Sequence, residues 1–189
     1  MLTVPTILFG RTRQGNRANR SRIPLALLVA VTMPTGAEGA GATPEVVREA
    51  IGKSIPLLEK TTAGTSAHRG CFTCHGHAMP VLALVEAQRR GFPIDRKNLR
   101  AQLEHTVADL TVGRKRYLEG KGQGGGHTRA GYALWMLRAA GWKPDDITGV
   151  VSGYLVHEDK GEHWRSTGNR PPTEFSPFTA TYVALQGLA

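Results

Sequence analysis

The 189-residue sequence predicts an all-α protein, built as a two-layer array of helical hairpins. Three observations lead there. No run of alternating apolar and polar residues is long enough for a strand. Apolar residues recur at helical spacing in segment after segment. Those segments are also of two kinds, taken in turn: helices apolar nearly all round, which must be buried, and helices with one apolar stripe and one charged face, which lie at the surface. Gly91 to Gly141 takes in one of each in about 50 residues, a period that suggests a repeat architecture. A simple helical bundle is the plainer alternative.

The N-terminal segment reads as an export signal. Residues 1–22 carry Arg11, Arg13, Arg17, Arg20 and Arg22 and no acidic residue. An apolar stretch, Ile23 to Met33, and then small residues ending in Ala40-Gly41-Ala42 complete the three parts of a secretory leader. The apolar stretch is too short to span a membrane and stay there. The alternative is a disordered basic tail ahead of a buried helix. On the leader reading, 1–42 is removed and 43–189 is the mature domain in the periplasm or cell envelope. The net charge of +9 then falls to +5, from 19 Lys+Arg against 14 Asp+Glu. The remaining basic clusters, such as Arg114-Lys115-Arg116, fall at helix ends and on polar faces. They read as solvated surface, and no nucleic-acid partner is expected.

The first helix is expected from Pro44, behind Thr43 as N-cap, to about Lys60, with Pro56 kinking it or ending it early. The second starts near Met79-Pro80 and stops before Gly91. The third runs from about Asp95 to Glu119, with Leu99, Leu103, Val107, Leu110 and Tyr117 as its stripe. A glycine-rich loop, Gly120 to Gly126, precedes a fourth helix over about His127 to Ala140. The fifth begins at Pro144-Asp145-Asp146 and carries Ile147, Val150, Val151, Tyr154 and Leu155. A loop with Trp164 and Arg170-Pro171-Pro172 leads to the last, about Ser176 to Leu188. The second, fourth and last are the ones read as buried all round.

Both cysteines of the chain fall in one motif, Cys71-Phe72-Thr73-Cys74-His75. CxxCH is the attachment signature of c-type haem. Two thiols at this spacing bond to the two vinyl groups on one porphyrin edge, and the adjacent histidine is delivered to the iron as proximal ligand. Export supplies the compartment in which that attachment occurs. Other readings are a local disulfide, a zinc site using His75 and His77, and a redox-active CxxC, for which the usual βαβ setting is missing. The sixth ligand cannot be read off. Met79 lies too close to His75 to reach the opposite haem face, and Met136 reads as core. His105, His127, His157 and His163 are candidates for that ligand, though each by itself reads more readily as a surface or loop histidine. A five-coordinate iron is equally open.

From Ala67 onward the order of motifs resembles a bacterial family of exported proteins with a squalene-cyclase/prenyltransferase-like α/α toroid carrying CxxCH, of planctomycete and acidobacterial type. The residues that carry the resemblance are Cys71 to His75, Ala78-Met-Pro-Val-Leu-Ala-Leu84, Gly122-Gln-Gly-Gly125, Ala130-Gly-Tyr-Ala-Leu-Trp135, and Asn169-Arg-Pro-Pro172 through Phe178-Thr-Ala-Thr-Tyr182. It implies the toroid fold. About three helix pairs are present where a full toroid has six. The chain is then either a truncated toroid or one that dimerises to cover an open edge. Cyclase activity is not carried over: the Asp-x-Asp-Asp general-acid cluster is absent, and Asp145-Asp146 reads as a helix cap. No zinc set of the prenyltransferase kind stands out.

Two functions remain. The first is an exported c-type haem protein for electron transfer or redox sensing, with haem held by Cys71 and Cys74, ligated by His75, and packed against the second helix and Trp135 or Tyr132. Its redox partner is not identifiable from sequence. The second is a haem-free toroidal module whose lumen, around Tyr132, Trp135, Met136, Phe178 and Tyr182, takes an apolar ligand or a partner segment.

Overall fold

The computed structural model describes residues 41–158, 161–165 and 176–189. The chain divides into two units, 1–41 and 42–189, and the described residues belong almost wholly to the second. The leader expected at 1–42 lies outside the described residues but for Gly41 and Ala42, and so do Arg170-Pro171-Pro172. The described residues are all-α: α1 (Pro44–His68), α2 (Met79–Arg89), α3 (Arg96–Val112), α4 (Arg114–Leu118), α5 (Gly126–Ala139), α6 (Asp146–Glu158) and α7 (Pro177–Leu188). A π-helical turn, Cys74–Ala78, runs directly into α2. Among the described residues no helix is long and apolar enough to cross a membrane.

Two boundaries differ from expectation. α1 passes through Pro56 and continues to His68. Pro56 sits on the exposed side, so the carbonyl four residues back, which loses its amide partner, faces water. The second half of α1 is also stitched to α3. Glu59 accepts from the Asp95 N–H at 2.6 Å, and Asn98 Nδ2 donates to the Glu59 carbonyl at 3.1 Å and to Thr62 Oγ1 at 3.0 Å. Gln102 Nε2 adds a bond to Ser66 Oγ at 3.2 Å. This polar seam gives the extra turns a partner that a single helix would lack. The third helix, expected as one piece, is divided at Gly113 into α3 and α4. A Cβ at Gly113 would fall inside the Gln123 side chain. Gln123 folds back from the glycine-rich loop, donating to the Asp109 carbonyl at 3.0 Å and accepting from the Tyr117 hydroxyl at 2.8 Å.

α5 is the central helix. Ala130, Ala133, Leu134, Met136 and Leu137 are buried, and it packs against α2, α6, α7 and the π-helical turn. Its most extensive contact is with α7, where small residues meet. A Cβ on Gly131 would lie 2.6 Å from the Val183 carbonyl oxygen, and one on Gly187 would lie 2.9 Å from that of Gly131. α7 departs from the reading of a helix buried all round. Ala180, Val183 and Ala184 face α5, but Phe178, Tyr182 and Leu185 are 88%, 53% and 52% exposed. Its far side has no helix upon it among the described residues.

Two glycine substitutions should therefore move stability in opposite directions. Gly131→Ala forces α5 and α7 apart and should destabilise by roughly 1–3 kcal/mol. Gly149 lies inside α6 with open space beyond its Cα, so Gly149→Ala should stabilise by up to about 1 kcal/mol through helix propensity. Urea unfolding midpoints of the two variants check both signs.

Candidate functional site

The CxxCH motif forms the turn between α1 and α2. Its residues divide by burial. Cys71 and His75 are exposed and Cys74 is half-buried, while Phe72 between the cysteines is 2% exposed. Cys71 and Cys74 are not bridged by a disulfide. The anchor is a residue that sequence reasoning left aside except as a zinc ligand: His77, which is fully buried. Its ring stacks on Phe72 at 5.9 Å and on His105 of α3 at 4.8 Å. The Thr73 N–H donates to its Nδ1 at 3.1 Å, and Thr73 Oγ1 lies 3.2 Å from the same nitrogen. Thr73 Oγ1 also accepts from the Gly76 N–H at 3.1 Å. A Cβ at Gly76 would strike both Thr65 and Thr73, so glycine is needed where α1 crosses the turn. Both residues between the thiols are thus held by His77, while Cys71 and His75 remain exposed and Cys74 lies half-buried against the core.

Burial, then the neighbouring His105, holds the His77 imidazole down to about 4, against the opposing pull of Asp109. The zinc reading does not fit this arrangement, because His77 is directed into the core with Nδ1 engaged by Thr73. Among the described residues no three His, Cys, Asp or Glu side chains converge as a metal-binding group. His105 and His127, read as surface or loop histidines, belong to the interior. His105 carries the His77 stack. His127 is buried, stacks on Tyr154 at 5.5 Å and donates from Nδ1 to the Arg165 carbonyl at 3.0 Å. His157 and His163 are surface groups.

The five residues expected around a lumen do not share one. Tyr132 and Trp135 are half-buried and stacked at 6.1 Å, and Tyr182 meets Trp135 edge-on at 5.7 Å. Met136 turns into the core, and Phe178 stands in solvent. The correction has a plain cause: residues that share an apolar helix need not share a face. What forms instead is a half-open aromatic patch beside the motif. Burial, then the nearby Cys74 and Tyr182, pushes the Tyr132 phenol up. Three open clefts lie elsewhere: about 290 Å³ where α5, α6 and the end of α7 meet, about 680 Å³ between α4 and α6, and about 540 Å³ between α1 and α2. None is lined by those five residues.

The haem group fits what is present. Two of its bonding groups, Cys71 and His75, are exposed on a turn fixed from within, and the half-buried Cys74 thiol adjoins the Tyr132 side of an aromatic surface. Cys71 and Cys74 would hold the porphyrin covalently, His75 would ligate its iron, and the group would supply a one-electron couple.

Sequence reasoning also missed a buried ion pair. Asp109 lies in the buried stripe of α3, and Arg129 Nη2 donates to its Oδ2 at 2.5 Å, with the side chains 6% and 13% exposed. The spacing held the signal: Asp109 follows Leu99, Gln102, Leu103 and Thr106 along one face. The pair locks the glycine-rich loop, since Arg129 Nη1 also donates to the Gly124 carbonyl at 3.3 Å. The chain matches no protein-family model, no curated protein and no solved structure.

Arg129→Met leaves the Asp109 carboxylate buried without its partner and should cost roughly 3–5 kcal/mol in urea unfolding, much of it recovered in Asp109→Leu/Arg129→Met. Protonation should act through His77. Its folded value is depressed from the ordinary 6.5 to about 4, so between those values the unfolded chain binds more protons. The stability it contributes is complete above pH 6.5 and is lost as the pH falls toward 4, by roughly 3 kcal/mol. In the haem-free chain, the difference in unfolding free energy between wild type and His77→Asn should shrink from pH 7 to pH 4.5. A difference constant over that range would contradict the assignment.

Proposed function

We propose that this chain is an exported c-type haem protein that transfers electrons or senses redox state in the periplasm or cell envelope. One observation carries the reading: Cys71 and His75 are exposed and Cys74 is half-buried at a turn whose intervening residues, Phe72 and Thr73, are held by His77. Bound haem supplies a one-electron iron couple. The protein's part is to present two thiols and an imidazole together and to offer the Tyr132, Trp135 and Tyr182 surface beside them. In the same reading, residues 43–189 form part of an α/α toroid without cyclase chemistry, either truncated or with its open edge covered by a second copy.

Expression of the full chain alongside a haem-maturation system should yield haem that resists acid–acetone extraction and gives a c-type pyridine haemochrome spectrum. Cys71→Ala/Cys74→Ala should abolish the covalent haem. Absence of covalent haem in the wild type would overturn the reading.

A second reading, a haem-free binding module, draws on the cleft between α1 and α2. Its wall is almost wholly apolar, with Val46, Val47, Ala50, Ile51, Leu58 and Phe92 in it, and its volume of about 540 Å³ lies in the range of small-molecule sites. Mass spectrometry of organic extracts from the purified chain tests for a lipid held there.

A further inference from the structure

We propose that His77 is a positioning residue for haem attachment: it sets the shape of the CxxCH turn from the inside through the two residues that separate the thiols. The inference rests on the haem reading for its purpose, but its geometry stands apart from it.

The wide π-helical turn over Cys74–Ala78 is the starting point. The Thr73 carbonyl accepts from the N–H groups of His77, at 3.0 Å, and Ala78, at 3.3 Å. That wide spacing brings the His77 side chain back over Thr73. Because the Thr73 N–H is a donor, Nδ1 of His77 must be the acceptor and carries no proton. The neutral ring then holds its proton on Nε2, which is buried with no hydrogen-bond partner among the described residues. A group this expensive to bury is kept only where its other contacts depend on it. Those contacts are specific. One edge of His77 fixes the Thr73 backbone, one face fixes the Phe72 ring, and the opposite face rests on His105 of α3. Phe72 and Thr73 are the whole of the segment between Cys71 and Cys74, so a single side chain determines how the two sulfurs are offered. The residue after Cys74, His75, lies in the same turn and is carried with them. The groups facing His77 from neighbouring elements are His105 and Asp109 of α3.

Two substitutions separate this role from a general need for a buried side chain. Asparagine places an oxygen where Nδ1 stands and can accept from the Thr73 N–H. Glutamine carries its oxygen one bond further and cannot. With the full chain co-expressed with the maturation system, His77→Asn should retain covalent haem and the wild-type axial-ligation spectrum. His77→Gln should lower the covalent fraction about tenfold, the factor that one lost hydrogen bond is worth, and should alter that spectrum. In the haem-free chain, iodoacetamide should alkylate exposed Cys71 faster than half-buried Cys74. His77→Gln should erase that difference, and His77→Asn should preserve it. If the wild type takes no covalent haem, the haem reading fails, and the alkylation contrast still judges His77. Equal haem loading, ligation spectrum and alkylation contrast in the two variants would overturn the proposal. Should neither variant fold, the ¹⁵N shifts of the wild-type His77 ring decide: a proton on Nε2 with Nδ1 bare supports the assignment, and a proton on Nδ1 overturns it.

Discussion

The approach of α5 to α7 at Gly131 and Gly187 is the constraint from which the other placements follow. With no side chain on either residue, the helices come close enough for backbone to meet backbone, and the alanines around them fill the remaining space. An interface made of small residues leaves no room for the large ones on the same helices, so those are directed elsewhere. Met136 and Leu137 go into the core. Tyr132 and Trp135 go to the side on which the CxxCH turn lies, and Tyr182 of α7 joins them. The aromatic patch beside Cys74 is therefore a by-product of how α5 and α7 pack. It needs no cavity of its own.

The core is not purely apolar, and two of its polar clusters fall where the chain must be held in an irregular shape. At one end Phe72, His77 and His105 form a column of three stacked rings under the CxxCH turn. At the other, Asp109 and Arg129 hold the glycine-rich loop against the junction of α3 and α4, with Gln123 joining the Asp109 carbonyl to the Tyr117 hydroxyl. A helix satisfies its own backbone groups, so it can be buried by apolar contact alone. A turn or loop cannot, and must find partners on neighbouring elements. That distinction accounts for these two clusters, whereas the buried Thr62 and Gln102 belong to the seam between α1 and α3.

Much of the helical framework was readable from local pattern. Thr43-Pro44, Asp95, Gly141 and Ser176-Pro177 mark helix starts and stops close to where they occur, since caps depend on a few adjacent residues. Pro56 misled for the same reason. Locally it is a breaker, and the seam between Glu59, Asn98 and Gln102 that carries α1 past it joins residues more than thirty positions apart. Gly113 was misread in the opposite direction, because the residue that needs its missing side chain, Gln123, lies in a different segment.

The sequence by itself determined the all-helical character, the order and rough extent of the helices, and the one motif in which both thiols and a histidine stand at haem spacing. These are properties of neighbours along the chain, where periodicity, caps and covalent spacing act. The tertiary structure alone decided which face of each helix meets another. That step placed His77 beneath the motif instead of among its ligands, dispersed Met136 and Phe178 from the aromatic patch, and paired Asp109 with Arg129. Each of those outcomes depends on close approach between distant segments, and a one-dimensional pattern holds the spacing along each segment but not the contact between them.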